Sequence, residues 1–189
     1  MSNGFNFLEE HLGKQRKQTL NNDEAAMATA VAWSLRSKDP STQVGACIIN
    51  EEGRLLSAGY NGTPNQWADE IFPWGKDAEE ENTKYPYVIH AEMNAISNFH
   101  GLKSDLRNST MYVTLFPCTN CAKLIIQMGI TKVVYLTDDR KESLDNICAK
   151  RLLDSCGIEY IDFETLVKQE ELDENNKQAL VRRLYKKEQ

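Results

Sequence analysis

Apolar residues along this chain change period several times, and each change marks an element. From Asn21, a capping pattern with Glu24 opens a stretch in which Met27, Val31 and Leu35 recur every four residues, which predicts a helix that stops before Pro40. Gln43 to Asn50 and Arg54 to Tyr60 are short apolar, β-branched runs joined by Asn50-Glu51-Glu52-Gly53, the pattern of an antiparallel hairpin. Ala91, Ala95, Ile96 and Phe99 predict a helix from His90 to Gly101. After it the spacing predicts a strand at Thr110 to Leu115, a helix at Thr119 to Met128 closed by Gly129, and a strand at Lys132 to Thr137. A helix at Glu142 to Cys156 closed by Gly157 and a fifth strand at Ile158 to Phe163 complete the pattern. Strands that alternate with helices need crossover connections and are therefore parallel neighbours. The expected fold is α/β: a mixed five-stranded sheet covered by helices on both faces, a three-layer α/β/α sandwich.

Three stretches lie outside this pattern. Residues 1 to 20 are polar with scattered Phe5, Phe7, Leu8 and Leu12 and read as a weak helix or an arm lying on the surface. Residues 63 to 89 show neither period, yet hold Trp67, Phe72, Trp74, Tyr85 and Tyr87 around the acidic run Asp77 to Glu81; a loop of that length inside a domain is often functional. Leu180, Val181, Leu184 and Tyr185 give the charged end a stripe suited to docking on its own domain or on another subunit. The expected division is one domain over residues 1 to 163, with an N-terminal arm, and a helical tail over residues 164 to 189.

Composition narrows the function classes. The chain has 189 residues, 41% of them hydrophobic, enough to fill an interior, and no apolar run approaches the ~18 residues that span a bilayer. The N-terminus lacks the order of a secretory signal, so the cytoplasm is expected. With 22 Lys and Arg against 28 Asp and Glu, a net charge of -6, a broad footprint for nucleic acid is not expected, and an anionic ligand needs a local basic cluster. Five cysteines without a secretion signal argue for buried thiols and metal ligands rather than a disulfide framework.

Cys118-Thr119-Asn120-Cys121 is a C-x-x-C between a strand and a helix, which reads either as a redox dithiol or as half of a zinc site. The redox reading leaves His90 and Glu92 unexplained, whereas the zinc reading uses them. His90-Ala91-Glu92 followed by Pro117-Cys118-x-x-Cys121 is the signature by which zinc-dependent nucleobase deaminases are recognised. One imidazole and two thiolates leave the fourth tetrahedral position open, as a catalytic zinc requires. Glu92, two residues after His90, suits a general acid/base better than a ligand. Cys148 and Cys156, on the stripe Leu144, Cys148, Leu152, Cys156, and Cys47 in the first strand are expected as core residues. His11 is expected on the surface and His100 as a helix-end dipole contact.

The resemblance reaches well past the zinc motif. Ser37-Lys38-Asp39-Pro40, Gln43-Val44-Gly45-Ala46, Gly59-Tyr60-Asn61-Gly62, Lys84-Tyr85-Pro86-Tyr87, His90 through Ile96 and Met111 through Cys118 resemble the deoxycytidylate (dCMP) deaminase family, from about Asn22 to Phe163. The resemblance implies the cytidine deaminase-like fold, hydrolysis of dCMP to dUMP and ammonia that supplies thymidylate synthesis, and one catalytic Zn2+ held by His90, Cys118 and Cys121 with Glu92 as proton carrier. It also implies substrate contact by Asn61, a homo-oligomer, often a hexamer, and the effectors dCTP and dTTP with Mg2+. Asn61 competes with a second reading as a turn residue at positive φ before Gly62. Some relatives carry a second, structural zinc in the long insertion, but residues 63 to 88 contain no Cys or His here, so a single zinc is expected. Several relatives place a tyrosine after the fourth strand, where this chain has Asp138-Asp139-Arg140-Lys141. Arg140 there either replaces a phosphate contact or belongs to a solvated charged turn, and Lys38 and Arg140 are the candidate phosphate contacts. Two other functions stay open: a zinc-dependent deaminase of another nucleotide or an RNA base, and a catalytically silent module that binds dCTP or dTTP.

Overall fold

The computed structural model describes residues 19–169; the N-terminal arm and the stripe at Leu180 to Tyr185 lie outside them. Helix α1 (Asn22–Ser34) begins with the expected capping box, Asn21 Oδ1 accepting from the Glu24 N–H and Glu24 Oε2 from the Asn21 N–H. Strands β1 (Gly45–Ile49) and β2 (Leu55–Tyr60) form the hairpin, turned by Gly53 at φ 76°. Helix α2 (Ala91–Ser97), β3 (Thr110–Leu115), α3 (Thr119–Met128), β4 (Lys132–Thr137), α4 (Leu144–Ser155), β5 (Glu159–Asp162) and α5 (Phe163–Gln169) follow. The sheet order is β2-β1-β3-β4-β5, antiparallel from β2 to β3 and parallel from β3 to β5.

Side chains alternate across this sheet and fill both layers. Cys47, Ile49, Tyr112 and Val134 face α1 and α5, while Ala46, Ile48, Met111, Val113 and Val133 face α2 and α3. All five β1 residues are buried because both faces are covered. Phe163, Leu166 and Val167 of α5 lie in the same core as α1, so the stretch assigned to the tail from Glu164 starts inside the packed unit.

Helix registers differ from the expected stripes. Leu35 is 66% exposed just past the end of α1, and in α4 the buried face is Asn146, Ala149 and Leu153, leaving Leu144 77% exposed and Cys156 exposed. A strict four-residue repeat drifts by about 40° per step around a helix, whereas alternating steps of three and four stay on one face. Residues 63 to 89 are ordered by their aromatics: Trp67 packs on Phe72 and Tyr87 at 5.2 and 5.1 Å, and Phe72 on Trp74 at 4.6 Å.

Candidate active site

The site forms where the carboxyl end of β3 meets the N-terminal ends of α2 and α3, outside the strand ends where open α/β sheets place their ligands. His90 caps α2, and Cys118 caps α3 directly after β3, with Cys121 in the first turn. Two local features fix His90. Gly62 and Ile89 exchange both backbone hydrogen bonds, at 2.9 and 3.0 Å, tying the segment before His90 to the end of β2. Gly59 lets α2 lie directly on β2, since a Cβ there would stand 2.3 Å from the Ala95 nitrogen and 2.8 Å from the Ala91 oxygen.

The donor atoms of His90, Cys118 and Cys121 lie within 4.8 Å of one another, and His90 Nδ1 faces both sulfurs, at 3.3 and 3.4 Å. Three convergent donors of this softness fit a zinc ion with one position left open. Without a metal the three groups share protons. The Cys118 thiol is drawn down to about 4, chiefly by its hydrogen bond with Cys121 and then by His90, against burial. Its hydrogen bond to His90 pulls the imidazole up to about 9, and Cys121 is pushed up by Cys118 and by burial. Glu92 is 4% exposed, and burial raises its carboxyl above the usual range, opposed by His90. A buried carboxyl of raised pKa is the type of group that takes up and returns protons near neutral pH.

A cavity of about 330 Å³ opens on His90, Glu92 and Cys118. Val44, Leu115 and Phe116 supply an apolar wall, and Asn61, Asp39 and Lys84 a polar one. Arg140 lies on the rim, close enough for its charge to oppose protonation of His90. Lys76 also reaches the rim, and neither cation forms an ion pair within the described residues. Asn61 is buried and does not have the positive φ of the turn reading; it pins the loop before β1, donating to Thr42 O at 2.9 Å and accepting from the Val44 N–H at 2.8 Å. Lys38 is not brought into this cavity. It pairs with Asp69 and lines a second cavity of about 330 Å³ with Tyr60, Trp67, Trp74, Asn94 and Asn98.

Lys84 and Lys76 were not expected as site residues. Lys84 sits in the segment Lys84-Tyr85-Pro86-Tyr87 that carries part of the resemblance, but its burial against Asp39, 45 positions away, depends on contacts that no local spacing reveals. Lys76 stands in an acidic, aperiodic stretch with no motif to single it out.

The zinc-binding region of cytidine and deoxycytidylate deaminases matches residues 20–137. A deoxycytidylate deaminase of Mus musculus is 46% identical over 151 residues, spanning 79% of this chain and 84% of its own. A probable deoxycytidylate deaminase of Drosophila melanogaster is 43% identical over 168 residues, spanning 80% of this chain and 82% of its own. The dCMP deaminase of cyanophage S-TIM5, solved in complex with dCMP and dUMP, aligns with a TM-score of 0.62 at 28% identity, over 77% of this chain and 99% of that one. The match runs through every segment that builds the cavity up to the end of β4, and the chain belongs to the family of zinc-binding cytidine and deoxycytidylate deaminases.

Proposed function

We propose that the protein hydrolyses dCMP to dUMP and ammonia. The observation that carries this assignment is a single cavity in which a buried carboxyl adjoins a three-donor metal site while two cations with no ion pair among the described residues stand at the rim. The relatives named deoxycytidylate deaminase, and the cyanophage enzyme bound to dCMP and dUMP, support the choice of nucleotide.

His90, Cys118 and Cys121 hold the zinc, which when bound acts as a Lewis acid and lowers the pKa of water toward ~7. Glu92 takes one proton from the water that attacks C4 of cytosine and passes it to N3, then takes the proton of the resulting C4 hydroxyl and passes it to the departing amine, so that the C4–N bond breaks with loss of ammonia and C4 is left as a carbonyl. Val44, Leu115 and Phe116 offer a dry surface to the pyrimidine ring. Asn61 contacts the sugar, and Arg140 with Lys76 balances the 5'-phosphate.

A regulated homo-oligomer, hexameric as is frequent in the family, belongs to the same proposal, with dCTP and dTTP as effectors and Mg2+ on their phosphates. The second cavity supports it, because indole side chains, the Asn94 amide of α2 and the amide of its C-cap Asn98 line it together with Lys38, at the helix that also carries Glu92. Action in the cytoplasm is part of the proposal too, where free thiols such as the five here persist.

Turnover on dCMP, CMP, deoxycytidine and tRNA tests the assignment. The expected result is a kcat/KM for dCMP at least about 100-fold above that for deoxycytidine, with no turnover of tRNA. Equal efficiency on dCMP and deoxycytidine, or deamination of tRNA, contradicts it.

A further inference from the structure

Asp39 and Lys84 form a buried ion pair in the cavity wall, with side chains 1% and 5% exposed. Removing one partner of such a pair is costly, yet replacing both by apolar groups is often neutral, so stability alone is a weak reason for it. Its hydrogen bonds point to another role. Asp39 Oδ1 accepts from the Ser41 and Thr42 N–H groups at 2.8 and 3.1 Å. Asp39 Oδ2 accepts from Lys84 Nζ and, at 3.3 Å, from Asn61 Nδ2. The carboxylate is therefore fully used, and it sets the Asn61 amide and the Lys84 ammonium side by side on one oxygen.

What these two groups have left over is complementary. An amide offers two N–H donors and two lone pairs. Both Asn61 donors are taken, by Thr42 O and Asp39 Oδ2, and one lone pair of Oδ1 is taken by Val44 N–H, so Asn61 retains one acceptor position and no donor. An ammonium has three donors. Lys84 uses one on Asp39 and stands 5.9 Å from the Tyr85 ring, with no second acceptor for Nζ among the described residues. A neighbouring acceptor and donor match a hydroxyl, which donates to one and accepts from the other. A phosphate, having no proton to give Asn61 near neutral pH, fits only half of the pair.

Resting on the assignment of dCMP as substrate, we propose that Lys84, oriented by Asp39, is a specificity residue that donates to the sugar 3'-hydroxyl while that hydroxyl donates to Asn61 Oδ1. The arrangement reads the presence of the hydroxyl, since a nucleotide lacking it leaves a remaining donor position of the buried ammonium and the second lone pair of the buried Asn61 carbonyl unmatched.

The experiment compares kcat/KM for dCMP and for 2',3'-dideoxycytidine monophosphate, with deoxycytidine as a third substrate. The zinc enzyme is used as wild type, as Lys84→Met, and as the double variant Asp39→Asn with Lys84→Met, which leaves no uncompensated buried charge. Wild type is expected to prefer dCMP over the dideoxy nucleotide by roughly 10²–10⁴-fold. In the variants that preference falls below about tenfold while the preference for dCMP over deoxycytidine is retained. Loss of the preference over deoxycytidine instead would place Lys84 on the phosphate and overturn the proposal. So would equal losses on all three substrates, an unchanged preference, or failure of both variants to fold, each of which reduces the pair to a structural contact or to none. A wild type that does not turn over dCMP refutes the substrate assignment itself, a separate outcome.

Discussion

Each of the three donors that meet around His90 Nδ1 holds its proton differently when no metal lies between them. With His90 raised to about 9 and Cys121 raised above its ordinary value, both are protonated at pH 7, whereas Cys118, at about 4, is already a thiolate. Zinc uptake must displace the His90 and Cys121 protons, so apparent affinity falls as pH drops from 8 to 6, by about 10² per unit if both leave together. Competition with a chromogenic chelator across that range measures it, and a flat profile contradicts it. Cys118→Ala removes a donor and is expected to cost zinc and thermal stability as well as activity, in metal analysis and melting curves. At the rim, Arg140→Ala and Lys76→Ala should each shrink the preference for dCMP over deoxycytidine about tenfold, the value of one charge-assisted hydrogen bond. That His90, Cys118 and Cys121 converge, with Glu92 in the same cavity, was legible in the sequence because the chemistry proposed for them constrains both residue type and spacing. Cations carry no such constraint: Lys38, chosen from the same motif as Asp39, points into the second cavity, while Lys84 reaches the first through a long-range pair.

Helix α2 shows how an element turns packing into site geometry. Its seven residues bear the site at one end and are fastened to β2 by Asn94 Nδ2 to Tyr60 O at 2.8 Å and Ser57 Oγ to Ala95 O at 2.6 Å, over the bare backbone of Gly59. Gly59→Ala forces a methyl into backbone atoms that cannot rotate away, and overpacking of this kind costs typically 1–3 kcal/mol. The expected result is a lower Tm together with a kcat loss, because α2 must lift with Glu92 upon it; an unchanged Tm and kcat contradict the close packing. β3, α3 and β4 were legible to the residue, since Gly129 at φ 80° and the strand alternation leave little choice of boundary. The face of α4 was not. Its buried side includes Asn146, which hydrogen-bonds Asp138 at 2.6 Å, and a polar residue in the core face is invisible to an apolar stripe.

For the whole molecule, the sheet order places the loop before β1, the end of β2 and the carboxyl end of β3 around one mouth, so residues from Asp39 to Arg140 share a single cavity. A net charge of -6 disfavours a broad nucleic-acid footprint, whereas the rim cations Arg140 and Lys76 are placed to act locally on a small anion. The proposed mechanism joins metal, carboxyl and nucleotide, with Glu92 as the proton carrier in zinc-dependent hydrolysis of dCMP. It is tested most directly by the kcat for dUMP formation from dCMP, with zinc content measured on the same samples, for wild type and Glu92→Gln. Glutamine keeps the shape but cannot carry a proton, so the expected result is near-stoichiometric zinc in both proteins and a kcat lowered by about 10²–10⁴ or more in the variant, with KM little changed. A variant that stays within about tenfold of wild type, or that loses its zinc, would contradict the role given to Glu92.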